Sequence, residues 1–402
     1  MQGIRLKRQG ANVTILEQDD QSERSSHEAG VSFGQNVEEF LRRFDVTGRN
    51  KSITAVTRHF AYRKRPDFLS TNGGLKLSNW LLLYRILRAN FDCLASAACP
   101  DPPQPSLEDG NAIYLTGKRV TGLGWTHSTM RVCFEDTHGG KQETIDADMV
   151  IGADGVHSAV RKLVHAPTLK RYAGYVSWRG SVPEKLVSDD TAKYFENRLV
   201  FDLMSRSYIL RHPEDGNVTP GERLLNWVWY YNVAEGSPEM HEFFTDIHGK
   251  QHHNTIPRGL VQPAVLERVL QSKLPQMVDP FAELLGKTER PFVTKINDVL
   301  CTSPSFCDGR VILVGDALAT FRPHVGAATE QAALHCLAME KVSNGEKALA
   351  AHIREVGVHA KRMWLLNRIV GEFGQGSVFS FLRVVCLYIA FLVRVKLGHP
   401  KL

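Results

Sequence analysis

The chain has 402 residues, 43% of them hydrophobic, and a formal net charge of +6. This length can bury a large core and predicts two or three domains, while the scattered basic residues, without a basic helix or zinc-finger spacing, argue against nucleic-acid binding. Seven cysteines without a C-x-x-C pair argue against a bound metal or a disulfide framework and predict a reducing, cytoplasmic location.

The first elements along the chain are typical of a nucleotide-binding unit. Residues 1–20 predict the end of a helix, a turn at Gly10 and a short strand that leads into Glu17. This is the second half of a βαβ unit, met without its first strand and glycine-rich loop. An acidic residue at such a strand end can accept hydrogen bonds from ribose hydroxyls, so Glu17 is a candidate cofactor ligand. A solvated loop carboxylate is the alternative.

The next segments alternate helix and strand before the composition changes. Residues 37–44 and 80–94 predict packing helices, and Ser78 or Asn79 caps the second. Short strands are predicted around 112–115, 118–124 and 130–135. Aromatic and β-branched residues dominate from 170 to about 300, which predicts a β-rich domain inserted into the first one. Within it, residues 224–233 alternate, with Trp227 and Trp229 on the face that favours core packing and Tyr230 on the other.

Two glycine-aspartate turns carry the chemistry. GADGVHSAVRKLV, residues 152–164, follows an apolar strand, and Ser158 can cap the helix after it. GDALATFRPHVGAATEQAAL, residues 315–334, also follows a buried strand, and Asp316 at its end can bond a ribityl or ribose hydroxyl. The small-residue turn from Pro323 to Ala328 starts a helix whose free amides favour an anion or a polarised ring edge.

Together these motifs resemble the single-component FAD-dependent aromatic-ring monooxygenases, the para-hydroxybenzoate hydroxylase-like family, and most closely its 2,6-dihydroxypyridine 3-monooxygenase-like members. The resemblance covers residues 1 to about 345. It implies an α/β fold in which an FAD-binding Rossmann-like (GR2-type) domain carries an inserted β-rich substrate domain and C-terminal helices. The corresponding boundaries are 1–168 and 301–345 for the FAD-binding domain, 169–300 for the substrate domain and 346–402 for the C-terminal helices.

The resemblance also implies cofactors and site residues. NAD(P)H reduces FAD, O2 adds to give a flavin hydroperoxide, and a small aromatic or heteroaromatic ring, or a secondary metabolite, is hydroxylated. The implied FAD ligands are Glu17, Arg85 or Arg88, Asp154, Arg161, Asp316, Gly326, Ala327 and Ala328. Beside the flavin, Pro323 precedes His324, a candidate base or hydrogen-bond donor, and Arg179 is a candidate partner for a phenolate or carboxylate. A turn histidine and a strand arginine in the core are the alternatives.

Two other hypotheses are weighed against this one. A flavin-dependent halogenase is suggested by Trp227-x-Trp229, but Tyr230, Tyr231 and Asn232 depart from the continuation that such enzymes carry. A folded paralogue without catalysis, with little or no FAD binding, is suggested by the opening residues. Aligning Gly10 and Glu17 with the family fingerprint puts Gly3 on the helix after the loop, so we expect the missing strand and loop to precede Met1.

An apolar segment lies near the end of the chain. Residues 378–393 are interrupted only by Arg383 and fall short of the about 20 residues that a spanning helix needs. The favoured interpretation is a C-terminal helix buried on the protein itself. A membrane-interface or tail anchor and a membrane span are the alternatives.

Overall fold

The structure is a computed structural model that describes residues 1–20, 30–50, 53–62, 65–126, 128–196, 198–202, 205–210 and 223–398. In its first part the elements are α1 (Gln2–Arg8), β1 (Val13–Leu16), β2 (Gly30–Phe33), α2 (Gln35–Phe44), β3 (Ile53–Tyr62), β4 (Arg65–Asn79), α3 (Trp80–Asp92), β5 (Ala112–Leu115), β6 (Lys118–Trp125), β7 (Met130–Asp136), β8 (Gln142–Ala147), β9 (Val150–Gly152) and α4 (Ala159–Leu163).

The second part continues from residue 168. Its elements are β10 (Thr168–Pro183), α5 (Asp189–Phe195), β11 (Arg198–Asp202), β12 (Ser205–Leu210), β13 (Leu224–Asn232), α6 (Pro238–Phe243), β14 (Thr255–Ile256), α7 (Pro263–Lys273), α8 (Asp279–Gly286), β15 (Phe292–Cys301), β16 (Ser305–Phe306), β17 (Val311–Leu313), β18 (Ala319–Thr320), α9 (Ala328–Ser343), α10 (Leu349–Gln375) and α11 (Val378–Lys396). Short 3-10 helices cover Glu184–Leu186, Leu274–Gln276, Cys307–Gly309, Gly315–Ala317 and Pro323–Val325.

The local elements of the first part follow the sequence patterns. The helix predicted at 37–44 is α2, which buries Val37, Phe40, Leu41 and Phe44. The helix predicted from residue 80 is α3, and its cap is Asn79, whose Oδ1 accepts the amides of Leu81 at 2.7 Å and Leu82 at 3.3 Å. The cap satisfies two of the amides that a helix start leaves without an intrahelical acceptor.

The nucleotide-binding strands form two separate parallel pairs. Strand β1 pairs with β5, and β9 pairs with β17, whose other neighbour is β16. Within the described part of the chain, no strand joins the two pairs. That a first strand and a glycine-rich loop precede Met1 stays a prediction.

The second architectural unit is a sheet in the order β14-β15-β10-β13-β12-β11-β3-β4-β2, with β18 paired to β15. Strands β10, β13 and β15 lie in the segment that the aromatic and β-branched pattern predicted as β-rich. The expected core face is confirmed, because Trp178, Trp227 and Trp229 are buried in one cluster beneath the helices α5 to α8. The pattern did not predict β2, β3 and β4, which join this sheet from the first part of the chain.

The C-terminal helices pack differently from the favoured prediction. Helix α11 packs on α10, but only Val384 and Phe391 of it are fully buried. Among the described helices, α11 has the length and apolar composition to cross a membrane, and 11% of its most apolar 18-residue stretch is buried in the protein. The interpretation of α11 as a buried helix is therefore wrong for most of its surface, since its outward residues are exposed within the described part of the chain.

Candidate functional site

The first glycine-aspartate turn is held by Asp154. Its carboxylate accepts the Ser158 hydroxyl at 2.5 Å and the Val160 amide at 3.0 Å, so it binds the start of α4. Ser158 in turn accepts the Arg161 amide at 2.9 Å, as expected of a helix cap. The Asp154 carboxylate thus fixes the turn that follows β9.

Arg161 connects the two turns. Its buried guanidinium donates to the carbonyl oxygen of Val156 at 2.6 Å and to that of Ala317 at 2.7 Å, across 156 residues of sequence. Burial lowers the pKa of this guanidinium from its ordinary value. The sequence suggested Arg161 as a ligand, whereas the structure gives both of its terminal nitrogens a protein carbonyl to bind.

The second turn begins at Gly315 in the left-handed region, with φ of 54°, where glycine carries no Cβ penalty. Its amide donates to Nδ1 of His335 on α9 at 3.0 Å. Burial lowers the pKa of His335 to about 3, so the imidazole stays neutral and keeps the lone pair that accepts this bond. His335 therefore anchors the turn from behind.

Asp316 lies in the turn that follows β17 and has one carboxylate oxygen without a partner within the described residues. Its Oδ1 is buried and has no hydrogen-bond partner within the described residues. Burial raises the pKa of this carboxyl to about 6. An acceptor of this kind is costly unless a hydroxyl or water pairs with it.

The turn before α9 leaves backbone amides open. Pro323 starts the short helix Pro323–Val325, and Gly326 ends it with φ of 62°. The Gly326 carbonyl accepts the Ser32 hydroxyl at 2.7 Å, which joins the turn to β2. Helix α9 begins at Ala328 after Ala327 and has no side-chain cap, so its first amides are available to an acceptor.

His324 lies in an aromatic environment between this turn and the large sheet. Its Nε2 is 2.5 Å from the Tyr175 hydroxyl, and its ring centroid is 4.7 Å from that of Tyr230. Burial raises the pKa of Tyr175, so the hydroxyl keeps its proton. Behind Tyr175, the buried Arg322 guanidinium binds Asp298 at 2.9 Å. The histidine is thus held by a chain of buried polar groups.

Arg179 shares the sheet face of Tyr175 but stands further along β10. Four residues separate them, about 13 Å at the usual rise of a strand. The half-buried Arg179 donates from Nε to the Ser177 hydroxyl at 3.2 Å. The structure brings His324 and Pro323 together with Tyr175, and leaves Arg179 at a distance along the same face.

The two arginines of α3 differ in their surroundings. Arg88 binds Asp92 through Nε and Nη2, donates from Nη1 to the Tyr84 hydroxyl at 2.6 Å, and stacks 3.6 Å from the Tyr114 ring centroid. Such contacts hold Arg88 against its own helix and β5. Arg85 is half-buried one turn earlier on α3.

Glu17 follows β1 directly, as predicted. Its Oε1 accepts the Asp19 amide at 3.1 Å, and its carbonyl accepts the Lys118 amide at 2.8 Å. It lies on the β1–β5 pair, whereas Asp154 and Asp316 lie on the β9–β17 pair. The candidate ligands therefore divide between two parallel units.

The residues present fit the flavin end of FAD. The buried Oδ1 of Asp316 needs a hydroxyl donor, which a ribityl chain provides, and the uncapped start of α9 suits a polarised ring edge. The Glu17 strand end suits a ribose. Sequence reasoning missed the groups that support these ligands, namely Ser32, Tyr175, Arg322 and His335, because their partners are distant in sequence.

This chain resembles known proteins over part of its length. A family model described as FAD binding domain-like matches residues 172–298. The 2,6-dihydroxypyridine 3-monooxygenase of Paenarthrobacter nicotinovorans is 37% identical over 220 residues, which are 54% of this chain and 52% of that protein. In these matches the chain spans about half the length of the curated relatives.

Solved structures share the fold. The 2,6-dihydroxypyridine-3-hydroxylase from Arthrobacter nicotinovorans has a TM-score of 0.74 and 24% identity, over 92% of this chain and 87% of its own. HpxO of Klebsiella pneumoniae, complexed with FAD and uric acid, has a TM-score of 0.67 and 16% identity, over 97% and 88%. The mixed α/β fold predicted from the motifs is confirmed.

Proposed function

We propose, from the premise that this chain is a homologue of FAD-dependent monooxygenases, that it hydroxylates a small aromatic or heteroaromatic ring with NADH or NADPH and O2. The observation that carries the proposal is the buried Oδ1 of Asp316, which has no partner within the described residues and lies on a turn tied to the GADG turn by Arg161. A protein that does not bind FAD would leave this buried acceptor without the hydroxyl donor that a ribityl chain provides.

The chain's own residues would hold FAD in three places. Asp316 accepts a ribityl hydroxyl, the amides at Gly326, Ala327 and Ala328 receive the ring edge, and Glu17 accepts the ribose hydroxyls. Asp154 and Arg161 act through the turns that they fix, and Arg85 or Arg88 of α3 reaches the cofactor. When bound, FAD supplies hydride acceptance and oxygen activation.

The substrate side is proposed to be the sheet face of Tyr175 and Tyr230. We infer that Tyr175 is the donor in its 2.5 Å contact with Nε2 of His324, so that the imidazole proton lies on Nδ1, where it can bind a ring hydroxyl or its oxyanion. Pro323 fixes the backbone before this histidine. Arg179, further along the same face, can pair with a carboxylate or phenolate on the far end of a substrate.

The test is a spectrum followed by turnover. Purified protein should carry a flavin band that denaturation releases, and dihydroxypyridines, the substrates after which the Paenarthrobacter nicotinovorans relative is named, should stimulate NAD(P)H oxidation. Asp316→Asn should lose FAD, whereas Asp148→Asn, at an exposed position, should keep it. Colourless protein that ignores added FAD would refute the proposal.

A further inference from the structure

Helix α11 contacts the protein through one narrow stripe. Val384 and Phe391 are buried against α10, and Tyr388 and Val395 are partly buried in the same cluster. These four positions recur at helical spacing, so they define one face. Because this face is packed against protein, α11 lies along the surface of the molecule.

The opposite face of α11 is apolar and exposed. Phe379 is 79% exposed, Ile389 55% and Leu382 53%. On a helical projection six of the exposed apolar residues span an arc of about 140°, and Leu387, which is also exposed, lies outside it. The members of this arc are Val378, Phe379, Leu382, Ile389, Leu392 and Val393. A contiguous apolar face of this size on a protein surface marks an interaction site.

The charges on α11 itself are all positive. Arg383 and Arg394 project beside its edge, Lys396 ends the helix, and residues 378–396 contain no aspartate or glutamate. Lys361 of α10 lies close to Arg394, and its pKa is lowered by burial and then by that neighbour. An anionic partner would relieve this crowding of like charges.

This charge pattern selects between two occupants. A second copy of the helix would bring basic side chains against basic side chains, because α11 offers no acidic partner. A membrane surface offers acyl chains to the apolar arc and anionic headgroups to the arginines. We propose that α11 lies in the surface of a membrane that contains anionic phospholipids, with Arg383 and Arg394 at the headgroups.

Vesicle flotation of the full chain tests this proposal. The protein should float with phosphatidylcholine vesicles that contain one quarter phosphatidylglycerol, and less with phosphatidylcholine alone. Ile389→Glu should lower the bound fraction at least about tenfold, since it puts a charge in the apolar arc. Leu107→Glu is the matched control, because Leu107 is fully exposed in a loop outside α11.

A second variant separates charge from packing. Arg383→Gln combined with Arg394→Gln should weaken binding to the anionic vesicles about 25-fold, since each basic side chain near such a surface contributes about fivefold. Its binding to neutral vesicles should not change. The proposal is overturned if wild-type protein does not float with anionic vesicles, if Ile389→Glu floats like Leu107→Glu, or if light scattering finds a lipid-independent dimer that Ile389→Glu dissociates.

Discussion

Arg161 is expected to stabilise the contact between the two glycine-aspartate turns, and Arg161→Met tests this directly. The substitution removes two charge-assisted hydrogen bonds, at 2.6 Å to Val156 and 2.7 Å to Ala317. Bonds from a charged donor contribute about 1.5–3 kcal/mol each, and of the two carbonyls left behind that of Ala317 is buried and that of Val156 is partly buried. We therefore expect the free energy of unfolding to fall by about 3–5 kcal/mol.

Urea denaturation followed by circular dichroism measures this loss. The control is Lys162→Met, which removes a positive charge from the same helix at an exposed position and should cost less than about 0.5 kcal/mol. FAD retention should fall with Arg161→Met, because the Gly315–Ala317 turn loses its link to the GADG turn. A loss below about 1 kcal/mol with FAD still bound would refute the idea that Arg161 holds the turns together.

Three further predictions concern the neighbouring groups. Tyr175→Phe should lower the free energy of unfolding by about 1 kcal/mol and also lower the rate of ring hydroxylation, since His324 loses its 2.5 Å partner. Tyr172→Phe, which removes a hydrogen bond to the Val233 carbonyl, should lower the free energy of unfolding without changing that rate. Asp316 has a raised pKa of about 6, so FAD-free protein should lose up to about 3 kcal/mol of stability as pH rises from about 4 through 6, as followed by urea denaturation. Asp316→Asn should make the free energy of unfolding nearly independent of pH over this range. A wild-type protein whose stability does not change with pH would contradict the prediction. Gly326→Ala should lower the thermal unfolding temperature more than Gly236→Ala does. Both residues have positive φ, but only at Gly326 would the added Cβ meet a side chain, that of Ser32.

Several local elements were determined by the sequence alone. The periodicity of residues 37–44 and the Asn79 cap follow from side-chain chemistry within a few residues, and α2 and α3 form as predicted. The alternation in 224–233 likewise put Trp227 and Trp229 in the core. Such features depend on contacts between residues that are close in sequence.

The site depended on contacts between distant parts of the chain. Arg161 reaches Ala317 across 156 residues, and Tyr175 reaches His324 across 149. No local pattern encodes these pairings, so the sequence suggested a cofactor role for Arg161 and gave no role to Tyr175. For the same reason it predicted a buried C-terminal helix, because apolar composition alone does not tell which face of α11 the fold covers. The sequence determined which residues could form each turn, whereas the tertiary structure decided which of them meet, since burial and pairing depend on elements brought together only by folding.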